Sequence, residues 1–366
     1  MKEILMVFGT RPEAIKLCPL LPPLRAAGFA VRVAVSDQHR ALLSDALAAF
    51  SVRPQHTIRA GRRGQTPGEI LGAVLRGTEA LIRRHRPALL LVHGDTASAC
   101  GAALGGFLSG VAVGHVEAGL RTGDLHAPFP EEFFRRLITQ AATLHFAPTA
   151  QARVNLLREG VAPGAIDVTG NTAIDALTLT YRPHFTHPVL QAAAGRKLVI
   201  VTLHRRESRG AVMHGLFAAV RQLADECEDA FFYCPLHPAP AVRAASAPLR
   251  GHPRILPGEP EGPLAFHNLL ARCYMVMTDS GGLQEEAPYF HKPVLVLRQE
   301  TERSEGVAAG VLRLAGEPQA LVREGRRLLR EEEAYRRMAE AESPFGDGHA
   351  ARRIAAFLTA QIGTAE

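Results

Sequence analysis

Short apolar segments alternate with helical stretches along the whole chain, and this alternation restricts the possible folds more than any other feature. The segments lie at residues 4–8, 31–35, 88–93, 111–116 and 145–147, and then at 198–203, 230–234, 254–256, 274–278, 293–297 and 311–314. Apolar strands separated by helices are typical of parallel sheets covered on both faces. We therefore predict an α/β fold with two Rossmann-like, doubly wound domains.

The length of the chain favours two domains. With 366 residues, of which 47% are hydrophobic, the chain is longer than one core usually fills. A strand ends before a new helix at Thr169-Gly170-Asn171-Thr172, so we predict domains at residues 1–169 and 170–351. An apolar face over residues 350–362 predicts a closing helix, which we place at about 352–366.

Charge and cysteine usage exclude several classes of partner. The net charge of +6 suits an anionic ligand, but the basic residues are scattered and lack interleaved aromatics, which argues against nucleic acid. The five cysteines stand singly without metal-type spacing, so we predict no metal site and a reducing compartment. No signal peptide precedes the first strand, and no apolar stretch reaches the roughly 18 residues of a membrane helix. These features predict a cytoplasmic protein without a membrane segment.

A glycine-rich turn joins the apolar segment 274–278 to a helix. Ser280, Gly281 and Gly282 would let backbone N–H groups approach a phosphate at the helix N-terminus. Glu286 lies one turn further, where its carboxylate would accept hydrogen bonds from ribose hydroxyls. The alternative is a tight turn that needs its glycines only for backbone geometry, and the turn alone leaves both interpretations open.

Three carboxylates of the first half lie at strand ends or at the start of a helix. Asp95 and Glu117 come directly after strand ends, and Glu131 lies in the first turn of a helix. Each alone has an ordinary explanation, as a helix cap or as a partner of the helix dipole. Carboxyl ends of parallel strands meet at one sheet edge, where ligands of such folds bind. Several like charges in one cleft are costly, so the set predicts chemistry.

Basic groups follow other strands. Arg11 stands at a helix start after the first strand, where it would meet a phosphate or would be a surface residue beside a helix cap. His204 precedes two arginines, a setting that suits a leaving diphosphate. The charge run 298–303 by itself is typical of a solvated loop. No G-x-G-x-x-G fingerprint follows any strand, which argues against a nicotinamide cofactor, and we predict no cofactor.

Seven motifs in this order resemble those of the non-hydrolysing UDP-N-acetylglucosamine 2-epimerases. They are Gly9-Thr10-Arg11-Pro12-Glu13, Gly94-Asp95-Thr96, His115-Val116-Glu117-Ala118-Gly119-Leu120-Arg121, Pro130-Glu131-Glu132, His204-Arg205-Arg206-Glu207, residues 279–286, and Thr301-Glu302-Arg303. The resemblance spans nearly the whole chain. It implies a glycosyltransferase type B fold, in which two Rossmann-like domains face across a cleft and the last helix returns to the first domain.

The resemblance also implies an activity, reversible interconversion of UDP-GlcNAc and UDP-ManNAc for cell-surface polysaccharides, by a homodimer without NAD or a required metal. The implied reaction eliminates UDP to a 2-acetamidoglucal and adds it back. The alternatives are a hydrolysing 2-epimerase that releases ManNAc and UDP, a UDP-sugar-dependent glycosyltransferase and a non-catalytic UDP-sugar sensor.

The resemblance carries over to individual positions. It implies a catalytic set of Asp95, Glu117, Glu131 and His204. The implied substrate-binding residues are Arg11, Lys16, Ser280, Gly281, Gly282, Glu286 and Arg303. Gln38, His39 and Arg40 correspond to a motif at a second, activating UDP-GlcNAc site. Leu203, Phe134 and Gln299 depart from the family pattern, but none of them replaces a nominated catalytic group.

Overall fold

The chain divides into two compact units in the computed structural model, which describes residues 1–37, 40–61, 64–205 and 210–363. Unit 1 contains Met1–Leu179 and Phe345–Glu366, and unit 2 contains Thr180–Pro344. The boundary predicted at residue 170 therefore falls inside unit 1. The helix that follows residue 170 belongs to unit 1 because Asp175 on this helix binds the backbone of the chain's last helix.

Unit 1 is built on a parallel sheet whose described strands number seven, in the order β3-β2-β1-β4-β5-β6-β7. The strands are β1 (Glu3–Phe8), β2 (Ala30–Ser36), β3 (His56–Ile58), β4 (Leu89–His93), β5 (Ala112–Val116), β6 (Leu144–Ala147) and β7 (Ile166–Val168). Its helices are α1 (Arg11–Leu17), α2 (Leu21–Ala26), α3 (Arg40–Ala49), α4 (Pro67–His85), α5 (Ala97–Leu108), α6 (Glu131–Ala141), α7 (Ala150–Arg158), α8 (Thr172–Thr180) and the last helix of the chain, Ala350–Ile362.

Unit 2 repeats this plan with a parallel sheet of six described strands in the order β10-β9-β8-β11-β12-β13. The strands are β8 (Lys197–Thr202), β9 (Ala230–Pro235), β10 (Ile255–Gly258), β11 (Met275–Thr278), β12 (Val294–Val296) and β13 (Leu312–Leu314). Its helices are α9 (Pro188–Ala193), α10 (Ala211–Glu226), α11 (Pro240–Ala245), α12 (Pro263–Arg272), α13 (Gly281–Tyr289), α14 (Ser304–Ala308), α15 (Pro318–Arg330) and α16 (Glu332–Ala339), so the last helix of unit 1 is α17.

Both strand orders are those of doubly wound Rossmann-like sheets, which confirms the predicted fold class. Strand order reverses between β1 and β4 in unit 1 and between β8 and β11 in unit 2. Ligands of such sheets bind outside the carboxyl ends of the strands at this switch point. The fold therefore marks one candidate position in each unit.

Apolar side chains fill both faces of the sheets, as parallel strands require. Every residue of β4 is buried, and α17 packs Ile354, Ala355 and Leu358 into the unit 1 core. All five cysteine thiols are free and buried. Burial raises the pKa of Cys18, Cys100 and Cys273 to about 12.

Two strands of unit 1 were absent from the predicted apolar segments, although a strand end was expected at Thr169, directly after β7. β3 and β7 are edge strands of three residues each, and both contain partly or fully exposed positions. Such short segments lack the continuous apolar run that marks the buried strands. Among the described helices, none combines the length and apolar character needed to cross a bilayer.

Candidate active site

Glu117 occupies a turn directly after β5, at the carboxyl edge of the unit 1 sheet. Its backbone has φ of 64°, in the left-handed region that non-glycine residues rarely adopt. Hydrogen bonds hold the chain on both sides of it: the Gly94 N–H donates to the Val116 carbonyl at 3.0 Å, and the Ala118 N–H donates to the Phe146 carbonyl at 3.0 Å. The sheet therefore imposes this conformation, and such imposed strain is frequent at functional sites.

Two basic side chains converge on one carboxylate oxygen of Glu117. Lys16 Nζ contacts Oε2 in an ion pair, and His93 Nε2 lies 2.8 Å from the same oxygen. All three side chains are at most 10% exposed. Lys16 comes from α1 and His93 ends β4, so the contact joins three elements around the switch point. The ion pair stabilises the ionised form of Glu117.

Asp95 binds Arg135 of α6. The Arg135 guanidinium donates to Asp95 Oδ2 from Nε at 2.8 Å, and its Nη2 lies 2.7 Å from the same oxygen. Arg135 also donates a hydrogen bond to Glu132, which is fully buried. Glu132 accepts further hydrogen bonds from Arg136 and from the Thr122 amide. Glu132 is thus fully occupied in structure, while Asp95 remains about one quarter exposed at the sheet edge.

Glu131 is the first residue of α6, next to Glu132, but its environment differs. Its Oε2 atom is buried and has no hydrogen-bond partner among the described residues. An unpaired buried oxygen costs roughly 1–3 kcal/mol, so such atoms are rare unless a ligand or solvent group satisfies them. Glu131 Oε2 could therefore accept a hydrogen bond from a donor outside the described residues, such as a ligand or a solvent molecule.

Glu13 holds the turn that precedes Arg11, the first residue of α1. The buried Glu13 carboxylate accepts hydrogen bonds from the Gly9 amide at 3.0 Å, from the Thr10 amide at 2.7 Å and from the Thr96 hydroxyl at 2.7 Å. These bonds join the turn after β1 to the turn after β4. Burial raises the pKa of Glu13 despite them. We call Arg11, Lys16, His93, Asp95, Glu117 and Glu131 the unit 1 site.

In unit 2, Asp279 joins the two turns at the switch point. Its Oδ2 accepts hydrogen bonds from the amides of His204 and Arg205, both at 2.8 Å, and its Oδ1 lies 3.0 Å from His204 Nδ1. Asp279 is fully buried. Burial raises its pKa, but the imidazole and the two amides outweigh burial, and the net pKa is lowered. Asp279 therefore fixes His204, whose side chain is 42% exposed at this edge.

The glycine turn opens α13 directly after β11. The Ser280 amide donates to Thr278 Oγ1 at 2.9 Å, and α13 begins at Gly281. A Cβ atom on Gly281 would lie 2.9–3.0 Å from the guanidinium of Arg303, closer than real Cβ contacts allow. The Arg303 guanidinium thus packs into the space that a side chain on residue 281 would occupy. Positive charge from the guanidinium and from the helix dipole coincide there.

The side chains of Glu302 and Arg303 form a buried charge cluster, so the solvated loop predicted for residues 298–303 is found only at the exposed Gln299 and Glu300. Glu302 is at its centre, 2% exposed, with Arg303 Nη1 at 2.6 Å, Arg298 Nη1 at 2.8 Å and Arg205 Nη2 at 3.7 Å. Glu285 binds the other side of Arg303 at 2.9 Å. Burial raises the pKa of Glu302, but the three arginines outweigh it and hold the pKa well below its usual range.

Glu286 lies within α13, and its side chain is 10% exposed. Its Oε1 would be 3.3 Å from a Cβ atom on Gly282, so the carboxylate is close to the glycine turn. Its Oε2 lies 4.0 Å from His267 Nε2. The other ring nitrogen of His267, Nδ1, lies 2.8 Å from Thr180 Oγ1. We call His204, Asp279, Ser280, Gly281, Gly282, Glu286 and Arg303 the unit 2 site.

Comparison with known proteins identifies the family. Residues 24–359 match the family model described as UDP-N-acetylglucosamine 2-epimerase. The chain belongs to this family. A Bacillus subtilis UDP-N-acetylglucosamine 2-epimerase is 44% identical over 96% of the chain and 93% of its own length. A Staphylococcus aureus structure with UDP is 41% identical, covers 100% of this chain and 98% of that one, and has a TM-score of 0.94. A structure of Neisseria meningitidis UDP-GlcNAc 2-epimerase bound to UDP-GlcNAc is 35% identical, covers 98% of this chain and 100% of that one, and has a TM-score of 0.92.

Within this member of the family, the predicted residues fall into the two sites. Lys16 and Glu117 are in direct contact, Asp95 is paired with Arg135, and Glu131 has the unpaired oxygen. Gln38 and His39 of the predicted activating motif lie outside the described residues, and for Arg40 only the backbone, at the start of α3, is described. Within the described residues, no group of three or more histidine, cysteine or acidic side chains is arranged to hold a metal ion.

Two residues of these sites, His93 and Asp279, were not nominated from the sequence, and neither were Arg135 and Glu302, which pair with the site residues Asp95 and Arg303. His93 and Asp279 stand at or just after strand ends, a positional signal that was used for Asp95 and Glu117 but was not extended to them. Arg135 and Glu302 carry no such signal. Their pairings with Asp95 and with Arg205 join distant parts of the chain and become evident only in the folded state.

Proposed function

We propose that this protein reversibly converts UDP-GlcNAc to UDP-ManNAc by eliminating UDP to a 2-acetamidoglucal and adding it back, without releasing free sugar. The observation that carries the proposal is the contrast among the carboxylates of the unit 1 site. Glu117 is ion-paired with Lys16, whereas Glu131 keeps a buried oxygen without a partner among the described residues. Carboxylates in such different environments are suited to complementary acid and base roles.

The chemistry requires more than one such group. The hydrogen on C2 of the sugar is not beside a carbonyl, so an ordinary side chain cannot remove it near pH 7. Departure of UDP from C1 generates oxocarbenium character that makes this proton acidic. Its loss gives the glycal, and return of a proton to the other face inverts C2. Asp95, Glu117 and Glu131 would exchange protons and stabilise the developing positive charge.

The unit 2 site supplies features that suit the leaving group. The start of α13 offers backbone N–H groups at Ser280–Gly282 with the Arg303 guanidinium beside them. His204, held by Asp279, and Arg11 would neutralise the diphosphate, and Glu286 would bind the ribose. Exclusion of water would keep the glycal and UDP together between the half-reactions.

The deciding experiment is incubation of the purified protein with UDP-GlcNAc in deuterated water. We expect UDP-ManNAc with deuterium at C2, together with deuterium in the recovered UDP-GlcNAc, by mass spectrometry and proton NMR. Free ManNAc with UDP would instead support the hydrolysing alternative. Release of UDP only after an acceptor is added would support a glycosyltransferase, and binding without any exchange would support a sensor.

Replacement of Glu117 tests the catalytic assignment. Glu117→Gln should lower C2 exchange by roughly 10²–10⁴-fold, the usual contribution of a general acid or base, while UDP affinity changes little. Glu79→Gln on α4, a half-buried glutamate of the same unit, is the control and should keep wild-type exchange. Equal losses of exchange and UDP binding in Glu117→Gln would show that Glu117 is structural.

The homodimer and the cytoplasmic location stay predictions of the sequence.

A further inference from the structure

His93 is a buried histidine that no part of the proposed reaction yet uses. It is the last residue of β4 and is paired in register with Val116, the residue before Glu117. Its side chain is 5% exposed. The pairing of two neighbouring strands therefore brings its imidazole to the carboxylate of Glu117, in the turn that follows β5.

The two imidazole nitrogens of His93 have different surroundings. Nε2 lies 2.8 Å from Glu117 Oε2, whereas Nδ1 is buried with no hydrogen-bond partner among the described residues. A carboxylate oxygen accepts hydrogen bonds, so the proton belongs on Nε2. A second proton on Nδ1 would bury an N–H group with nothing to bind, so we assign His93 as the neutral Nε2–H tautomer.

This tautomer makes His93 a donor to Glu117. Lys16 donates to the same Oε2, so the two contacts together fix the plane of the Glu117 carboxylate and the direction of its other oxygen. Displacement of a reacting group by about 1 Å can cost roughly 10²-fold in rate.

We propose that His93 is a positioning residue: its Nε2–H holds the Glu117 carboxylate in place for proton transfer at C2, and it does not itself carry the transferred proton. The inference rests on the proposed function. The positioning role requires a hydrogen-bond donor at the Nε2 position of residue 93. It does not require a side chain that gains or loses a proton.

The test uses two substitutions that separate these properties. His93→Gln places an amide N–H near the position of Nε2 but cannot titrate, and His93→Leu removes the donor at similar volume. We expect C2 deuterium exchange to fall roughly 10–100-fold in His93→Leu and to stay within about threefold of wild type in His93→Gln. UDP affinity, measured by calorimetry, should change less than about twofold in both.

Controls and contrary outcomes are distinct. His145→Leu replaces another buried strand histidine of unit 1 and should keep wild-type exchange. Full exchange in His93→Leu, or an equal loss in His93→Gln and His93→Leu, would overturn the positioning role. If His93→Leu does not fold, His93→Ala removes the same donor. Absence of exchange in the wild-type protein would refute the proposed function itself, and the role of His93 with it.

Discussion

At Gly281 the site depends on the absence of a side chain. The Arg303 guanidinium fills the space that a Cβ atom would need, and Glu285 and Glu302 hold that guanidinium from two sides. Neither Gly281 nor Gly282 has a positive φ, so the turn does not need its glycines for backbone conformation, and the observed reason for Gly281 is packing against Arg303. The phosphate cradle stays a prediction of the sequence.

Gly281→Ala is therefore expected to displace Arg303. Overpacking of this kind costs about 1–3 kcal/mol, and we expect UDP affinity to fall about tenfold or more, measured by calorimetry. Gly68→Ala is the matched control in the first turn of α4, because its Cβ would meet only Thr66 Oγ1 at 4.0 Å. Unchanged UDP affinity in Gly281→Ala would place the diphosphate elsewhere.

Glu302→Gln tests the buried charge cluster. The variant leaves Arg205, Arg298 and Arg303 with one fewer carboxylate, and loss of one partner in a buried ion pair costs about 3–5 kcal/mol. Because the folded pKa of Glu302 is lowered, its contribution is present above the unfolded value of about 4.3 and is lost as pH falls below it. Denaturant unfolding at pH 7 and pH 3.5 should show a larger loss for the variant at pH 7, and equal losses would contradict this.

Individual residues were predictable from sequence where position alone defines them. Asp95 and Glu117 follow strands, and parallel strands end at one edge, so their neighbourhood follows from topology. His93 also stands at a strand end but is the last residue of β4 itself, where burial is the ordinary expectation. Its role depends on the register of β4 against β5, which the sequence does not specify.

At the scale of elements, the join between α8 and α17 fixes how the chain closes. The buried Asp175 carboxylate of α8 accepts hydrogen bonds from the Ala350 and Ala351 amides at 3.2 and 3.0 Å. A helix cap supplied by another helix has no local sequence signature. This is why the sequence predicted α17 from its apolar face yet placed the domain boundary before α8.

Asp175→Ala should destabilise unit 1 by about 1–2 kcal/mol, the usual cost of losing a helix N-cap. Denaturant unfolding would measure the change, and increased hydrogen exchange in α17 would locate it. Asp347→Ala is the control, since it removes an exposed carboxylate near the same helix end whose ion pair with Arg353 is worth about 0–1 kcal/mol. Equal effects of the two substitutions would show that the cap from α8 is unimportant.

For the molecule as a whole, the repetition of one plan in both units is what the sequence predicts best. The alternation of strands and helices specifies two doubly wound sheets. The short edge strands β3 and β7 were not among the predicted apolar segments, because partly exposed three-residue segments resemble loops. The division into units depends on contacts between distant segments, such as Asp175 with Ala350, and these are not encoded locally.

Buried histidines give unit 1 a characteristic pH response. Burial lowers the pKa of His115 to about 3 and that of His145 to about 4. The unfolded chain takes up these protons near pH 6.5, so the folded state is favoured above that pH and loses up to about 1.4 kcal/mol per pH unit for each histidine below it. Denaturant unfolding between pH 7 and 5 should show this slope, and His145→Leu should reduce it. An unchanged slope in the variant would contradict the assignment.

The burial of every cysteine has a practical consequence for following such changes. A thiol reagent reacts with the thiolate, which is scarce when burial has raised the pKa and the sulfur is covered. Labelling of the native protein should be slow and should accelerate only on opening. Cys18 and Cys100 lie in unit 1 and Cys227, Cys234 and Cys273 in unit 2, so peptide mapping of the labelled sulfurs would report which half of the chain opened first.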